Sequence, residues 1–310
     1  MVSPRIGIAL GSGAARGWSH IGVLSSLIEA GIEPDVVCGT SIGAFVGAAY
    51  VAERLTELQR WAETVTWRDI VALLDVRLSG GGLIDGKAIV EFLQELGVGQ
   101  PIESYAKRYA AIATDLVTGR EIWLDSGPIH EAVRASIALP GIFSPVGIHG
   151  KWLIDGGLCN PVPVSVCRAL GADVIIAINL NGDLLGRRFQ SQSERTPTTV
   201  PSRLQNELLD RVLSRLPAGL RQQAGRVARQ LLPKAPSTLG YFDVLANSIN
   251  IMQDHITRSR LAGEPPHVLL VPRLRDFGLL EFNRAEEAIA EGRVCVEQAL
   301  PMLRRFLDLR

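Results

Sequence analysis

The sequence predicts an α/β protein with a three-layer fold, in which a mainly parallel central sheet is flanked by helices. Two short apolar runs, residues 6–10 and 36–38, are each followed by a glycine-containing turn and a helical pattern. This βαβα succession favours parallel strands joined by crossover helices. Apolar residues make up 47% of the 310 residues, which is enough for a substantial buried core.

Later apolar runs extend the same pattern along the chain. Further strands are predicted over 109–114, 121–124, 152–154, 174–179 and 267–271. Helices are predicted over 18–30, 42–54, 87–96, 129–138, 162–170, 239–261 and 285–309. Residues 181–202 are rich in Gly, Ser, Thr and Pro, which predicts a mobile loop. We therefore expect a catalytic domain over 5–180 and a mostly helical extension over 181–310, packed on the same domain.

Composition and charge exclude several classes of protein. Lys plus Arg and Asp plus Glu both total 32, so the zero net charge gives no reason to expect a nucleic-acid partner. No C-x-x-C pair or other zinc-ligand spacing occurs among Cys38, Cys159, Cys167 and Cys295, and such thiols are typical of a reduced cytosol. The apolar stretch 36–52 is too short and too rich in glycine for a membrane span. We expect a cytoplasmic protein without a metal.

A candidate nucleophile lies in the second βα unit. Gly39-Thr40-Ser41-Ile42-Gly43 is a G-x-S-x-G sequence between an apolar strand and an apolar helix. That strand–turn–helix setting is the one a nucleophile elbow requires, since Gly39 and Gly43 permit a sharp turn and close approach. Ser41 would stand at the helix N-terminus, where the helix dipole favours developing negative charge. The alternative is a serine N-cap beside packing glycines.

The glycine-rich loop of the first βα unit has two interpretations. Gly11, Gly13 and Gly17 give G-x-G-x-x-x-G, which is one residue longer than the dinucleotide-binding fingerprint. The spacing therefore favours an oxyanion hole, in which the N–H groups of Gly13 and Ala14 bind the oxygen of a tetrahedral intermediate. Arg16 would either hold the loop or pair with an anionic group of the substrate.

A serine nucleophile needs a base, and a histidine is not favoured. The order Ser, Asp, His would need a late histidine. His255 lies in a predicted helix among charged neighbours, and His267 begins a predicted strand. Neither follows the end of a strand, where the third member of a triad would be expected.

Aspartate is the other candidate base, because Leu-Ile-Asp-Gly occurs twice, at Asp85 and Asp155. Asp85 precedes the helix over 87–96 and is interpreted as its N-cap. Asp155 ends a predicted strand and is followed by Gly156 and Gly157. Ligands of open parallel sheets bind at the carboxyl ends of strands, which favours Asp155. Partial desolvation would raise the pKa of this carboxyl group and make it a stronger base.

These elements together resemble the patatin-like phospholipase family, over roughly residues 5 to 180. The resemblance rests on the loop 10–17, Gly-Thr-Ser-Ile-Gly at 39–43, Arg-Ala-Ser-Ile-Ala-Leu-Pro-Gly at 134–141 and Asp-Gly-Gly at 155–157. Residues 18–24 and the C-terminal half are similar to the bacterial RssA-like subgroup. The resemblance implies a lipid acyl hydrolase with a Ser–Asp dyad of Ser41 and Asp155, and no metal or organic cofactor.

The resemblance also places Gly13, Ala14 and Arg16 in the oxyanion segment, with one departure. Many members have three consecutive glycines where this chain has Ser12-Gly13-Ala14. The backbone N–H groups survive the replacement, but alanine adopts positive φ less readily than glycine. Because the alanine restricts the conformation of the loop, we expect the departure to affect catalytic efficiency and not the identity of the site.

The resulting hypothesis is hydrolysis of lipid carboxylic esters through an acyl-serine intermediate. Two alternatives are a regulatory or interaction protein that keeps the fold with little turnover, and a dinucleotide-binding oxidoreductase. Residues 204–232 form an arginine-containing amphipathic pattern that suits peripheral contact with the inner membrane surface. Glu207, Asp210, Pro217 and Gly219 interrupt this pattern and favour a packed or oligomer-forming helix instead. The sequence leaves the head group, acyl length, ester position and oligomeric state open.

Overall fold

The described part of the chain forms one mixed sheet covered by helices on both faces. The computed structural model describes residues 4–66, 69, 85–183 and 241–307. Its strands are β1 (Ile6–Leu10), β2 (Val36–Thr40), β3 (Arg108–Asp115), β4 (Glu121–Leu124), β5 (Val146–Ile148), β6 (Lys151–Asp155), β7 (Val174–Ile178) and β8 (Val268–Leu270). Its α-helices are α1 (Ser19–Glu29), α2 (Ile42–Val51), α3 (Leu55–Thr64), α4 (Lys87–Glu95), α5 (Ile129–Ser136), α6 (Val164–Ala169), α7 (Tyr241–Gly263) and α8 (Ala285–Phe306).

Strand pairing places the first strand in the middle of the sheet. The order is β5-β6-β3-β2-β1-β7-β8, with β4 paired to β3 outside this path. The pairs β3–β2, β2–β1, β1–β7 and β7–β8 are parallel, while β4, β5 and β6 pair in antiparallel fashion. The predicted three-layer, mainly parallel α/β fold is therefore confirmed.

Each face of the sheet contributes to a separate hydrophobic cluster. Ile8, Leu10 and Val37 pack in the larger cluster with α1, α2 and α8. Alternate residues of the same strands, such as Ala9 and Val36, pack against α6 on the other face. Strands β1, β2 and β7 are almost wholly buried, which explains why they are continuous apolar runs rather than alternating patterns.

The C-terminal elements belong to the same sheet and core. Strand β8 pairs in parallel with β7, so residues well beyond 180 extend the sheet. Helix α8 packs along α1, and Arg293 of α8 forms an ion pair of 2.9 Å with Glu29 of α1. The extension is thus built onto the layers formed by the N-terminal half.

Several features differ from the sequence expectations. Helix α3 and strand β5 were not predicted, and the short 3₁₀ helix Ala14–Trp18 precedes α1. The amphipathic pattern over 204–232 lies outside the described residues, as does most of the predicted loop 181–202. No helix in the described ranges is long and apolar enough to cross a membrane.

Candidate active site

Ser41 lies in a tight turn between the end of β2 and the start of α2. Its backbone has φ 57° and ψ −122°, a conformation that costs a non-glycine residue about 1–3 kcal/mol. A Cβ atom at Gly39 would collide with the backbone of Ala44, and one at Gly43 would collide with the carbonyl oxygen of Leu10. Only glycine at both positions lets strand and helix approach closely enough to form the strand–turn–helix arrangement that the motif predicts.

A second serine holds this turn in place. The Ser41 N–H donates to Ser136 Oγ at 2.8 Å, and Ser136 Oγ donates to the carbonyl oxygen of Ile112 on β3 at 2.6 Å. Ser136 is fully buried at the end of α5. No sequence pattern indicated a role for Ser136, although it lies within the motif at 134–141. Its buried hydroxyl links the turn to the sheet and offsets part of the backbone strain.

Asp155 lies beside Ser41 and accepts its hydroxyl proton in a hydrogen bond. Ser41 Oγ lies 2.6 Å from Asp155 Oδ2, although 114 positions separate the two residues. The other carboxylate oxygen, Oδ1, accepts the Gly157 N–H at 2.7 Å, which fixes the plane of the carboxylate. Only 1% of Asp155 is exposed. Burial raises the pKa of this carboxyl group to about 6, against the lowering effect of the two hydrogen bonds.

The route by which Asp155 reaches the site differs from the sequence expectation. Strand β6 is antiparallel to β3, with Ala113 opposite Asp155, so Asp155 does not end a strand of the parallel set. Thr40, which precedes Ser41, lies opposite Ile112 on the parallel neighbour β3. The carboxyl end of β6 therefore meets the carboxyl end of β2 from the opposite direction. The expectation that Asp155 ends a strand of the parallel set was therefore wrong.

The second Leu-Ile-Asp-Gly aspartate has a different environment. The N-cap of α4 is Gly86, with φ 72° and no side-chain cap, so the interpretation of Asp85 as N-cap was wrong. The Asp85 carboxylate lies 3.3 Å from Lys87 Nζ, and its carbonyl oxygen accepts hydrogen bonds from Arg134. Asp85 does not line the cavity beside Ser41.

All five histidines lie in described parts of the chain, and none lines that cavity. His255 is exposed on α7, and His267 Nδ1 accepts the Ile175 N–H at 3.0 Å. His20 is buried with Nε2 2.8 Å from the carbonyl oxygen of Gly11, and burial lowers its pKa to about 4. Asp155 is therefore the base nearest to Ser41 among the candidates that the sequence offered.

Residues of the glycine-rich loop line the cavity beside Ser41. Gly13 and Ala14 both line the cavity beside Ser41, and no acceptor in the described residues lies against either N–H. Arg16 is 1% exposed and donates from Nε to the carbonyl oxygen of Gly13 at 3.1 Å. The Gly13 contact supports the role of holding the loop, one of the two roles considered for Arg16. The glycine at position 17 packs against Ile42, where no Cβ atom would fit.

Ala14 adopts a left-handed backbone conformation, with φ 50°, which glycine enters without strain. We expect Ala14→Gly to raise the free energy of unfolding by about 0.5–1 kcal/mol, because alanine at positive φ is strained. The neighbouring Ala15 does not have positive φ. Ala15→Gly is therefore the matched control and should be destabilising. Urea unfolding of both variants measures the difference, and equal effects of the two substitutions would contradict a strained Ala14.

Two cavities meet at Ser41. The first, here called the aromatic lobe, has a volume of about 160 Å³, and every residue that lines it except Ser41 is apolar. Six aromatic rings form most of its wall: Trp18, Phe45, Trp61, Phe92, Phe143 and Phe282. Trp61 and Phe92 pack with ring centroids 4.3 Å apart, so the wall is continuous. Such a surface suits a hydrocarbon chain.

The second cavity, here called the amide lobe, has a volume of about 80 Å³ and includes both Ser41 and Asp155. Asn250 and Gln253 of α7 line it together with the loop residues Ser12, Gly13 and Ala14. Leu139 and Ile142, which follow α5, line both lobes. Ser41 thus stands at the junction of an apolar cavity and a partly polar one. In the described residues, no cluster of His, Cys, Asp or Glu could hold a metal ion.

The chain matches one family model and several known proteins. The family model described as patatin-like phospholipase matches residues 8–168, a range that includes Ser41 and Asp155 but stops before α7. An uncharacterized NTE family protein of Mycobacterium tuberculosis is 35% identical, over 96% of this chain and 92% of its own length.

A more distant relative is the human patatin-like phospholipase domain-containing protein 6. It is 35% identical over 182 residues, which are 56% of this chain and 13% of that protein. Among solved structures, VipD from Legionella pneumophila matches with a TM-score of 0.46 and 11% identity, over 96% of this chain and 67% of that one.

Proposed function

The chain belongs to the patatin-like phospholipase family, and on that premise we propose that it hydrolyses carboxylic esters of lipids with Ser41 as nucleophile and Asp155 as base. The observation that carries the proposal is the 2.6 Å contact between Ser41 Oγ and Asp155 Oδ2 at the junction of the two lobes. A nucleophile within hydrogen-bond reach of a base is the arrangement that acyl transfer requires.

The first half of the proposed reaction forms an acyl-serine. Ser41 Oγ attacks the ester carbonyl carbon while its proton passes to Asp155 Oδ2. The carbonyl oxygen becomes an oxyanion and accepts hydrogen bonds from the N–H groups of Gly13 and Ala14. The tetrahedral intermediate then collapses, the bond to the alcohol oxygen breaks, and Asp155 returns the proton to the leaving alcohol.

The second half regenerates the enzyme with water. Asp155 takes a proton from a water molecule as its oxygen attacks the acyl carbon, and the serine oxygen leaves with that proton. A carboxyl group whose pKa is raised to about 6 by burial suits both directions of this transfer better than an ordinary aspartate. The apolar lining of the aromatic lobe supports an acyl chain as the group bound on that side.

Labelling with a fluorophosphonate tests the proposed nucleophile. The parent protein should be labelled at Ser41, whereas Ser41→Ala should not be labelled. Ser126→Ala changes an exposed serine that lines neither lobe and is the matched control. Hydrolysis of p-nitrophenyl esters should rise in kcat/KM with acyl length, roughly 2- to 4-fold per methylene until the lobe is filled. Absence of both labelling and hydrolysis would favour the non-catalytic alternative.

A further inference from the structure

Helix α7 places two carboxamide side chains in the amide lobe, next to the proposed dyad. Asn250 and Gln253 are 7% and 5% exposed and lie one helical turn apart. Both residues lie beyond the segment 8–168 that the family model matches. The dyad chemistry described above uses neither of them. Two buried amides that line a cavity without a role in bond breaking are candidates for substrate recognition.

The contacts of Gln253 fix which end of its amide faces the cavity. Its Oε1 accepts hydrogen bonds from Ser12 Oγ at 3.0 Å and from Asn181 Nδ2 at 3.2 Å. A Cβ atom at Gly157 would collide with Gln253 Nε2, so this nitrogen lies against the loop that follows Asp155. Among the described residues no acceptor lies against Nε2, which leaves its N–H groups available to a ligand.

Asn250 repeats this arrangement one turn earlier. Its Oδ1 accepts a hydrogen bond from Arg16 Nη2 at 3.0 Å, and within the described ranges its Nδ2 has no acceptor. The oxygen of each amide is therefore satisfied by the protein, while the nitrogen of each can donate into the cavity.

Two amide donors on one side of the otherwise largely apolar amide lobe favour a ligand that brings acceptor oxygens there. We propose that Asn250 and Gln253 bind oxygen atoms of the alcohol half of the substrate, so that esters whose alcohol carries acceptor oxygens are preferred over simple alkyl esters. This inference rests on the proposed function, because the aromatic lobe must hold the acyl chain for the alcohol half to occupy the amide lobe. An ester whose alcohol has no acceptor leaves both donors unpaired in a buried cavity, which is unfavourable.

Three esters of one fatty acid test the proposal: lysophosphatidylcholine, monoacylglycerol and the methyl ester, all with a palmitoyl chain. Gln253→Leu should lower kcat/KM for lysophosphatidylcholine roughly 5- to 100-fold and leave the methyl ester within about twofold. A similar loss for monoacylglycerol assigns the contact to glycerol oxygens, whereas an unchanged value assigns it to the phosphate. Equal losses for all three esters, or no loss for any, would overturn the subsite.

Controls separate a recognition role from a structural one. Gln253→Met keeps the length of the side chain and removes the amide. If Gln253→Leu folds poorly, Gln253→Met should show the same selective loss of kcat/KM for lysophosphatidylcholine. His255→Ala changes an exposed residue of the same helix and should leave all three substrates unaffected. Calorimetric titration with glycerophosphocholine does not need turnover, and the parent should bind it at least fivefold more tightly than Gln253→Leu. Equal binding by both proteins contradicts the proposal even if no ester is hydrolysed.

Discussion

Replacing Ser41 with alanine is expected to lower kcat for any acyl ester by roughly 10³- to 10⁶-fold, because the nucleophile is lost. Asp155→Asn should lower it by roughly 10³- to 10⁴-fold, since an amide cannot take the proton from Ser41 Oγ across the 2.6 Å contact. The double variant should be little worse than Ser41→Ala alone. A nucleophile and its base act as one unit, so their separate losses do not add.

The twin motif supplies the control for this experiment. Asp85→Asn changes the other Leu-Ile-Asp-Gly aspartate, whose carboxylate pairs with Lys87 and does not line the cavity. It should retain kcat within about twofold. Steady-state kinetics of the parent, the two single variants, the double variant and the Asp85→Asn control measures these effects. Near-ultraviolet circular dichroism verifies that each protein is folded. Near-parent activity in Asp155→Asn together with loss in His255→Ala would replace the dyad with a histidine triad.

Asp155→Asn should also make the protein more stable at alkaline pH. Burial holds the pKa of Asp155 at about 6 in the folded state, against 3.8 as the ordinary value. The folded state therefore binds this proton more tightly than the unfolded state. The stabilisation of the folded state by this bound proton is complete below about pH 4 and is lost as pH rises through 6. At pH 8 the loss lowers the free energy of unfolding of the parent by on the order of 2–3 kcal/mol. An asparagine avoids this cost because it carries no charge.

Urea unfolding at pH 4 and pH 8 distinguishes this effect from ordinary repacking. Asp155→Asn should exceed the parent in free energy of unfolding by about 1–3 kcal/mol at pH 8 and differ little at pH 4. Asp85→Asn should stay within about 0.5 kcal/mol at both values, because its ion pair is partly exposed. If Asp155→Asn were less stable than the parent at pH 8, burial of the charged carboxylate would not be costing the parent stability. The same pKa should place the acid limb of kcat/KM near pH 6.

Local sequence patterns were sufficient for the central strands and the serine turn. The runs that became β1, β2 and β7 are buried on both faces, so their continuous apolar character marked them as strands of a covered sheet. Apolar periodicity carries no information about strand direction, and so the antiparallel course of β6 was not foreseen. The three-residue strand β5 is too short and too exposed to show a period.

The parts of the candidate site that sequence did not predict come from distant segments. Ser136 is an ordinary serine in a helical pattern, and its bond to the Ser41 N–H exists only once α5 packs beside the turn. Gln253 and Asn250 looked like polar positions of a long helix. Their burial results from α7 lying across the loop at Ser12, 241 positions away from Gln253 in sequence. Contacts at that separation depend on topology, which single-sequence patterns do not report.

The position of α7 has a consequence for synthesis of the protein. The cavity at Ser41 is completed by Leu245, Gln253 and Leu280, which follow Asp155 by roughly a hundred residues in the chain. At about 5–20 residues per second, a ribosome needs roughly 5–20 s to travel from Asp155 to Gln253. During that interval the nascent polypeptide holds both members of the proposed dyad without the wall that would enclose a lipid. The proposed hydrolysis therefore requires residues that are translated late, after the N-terminal βα units have emerged.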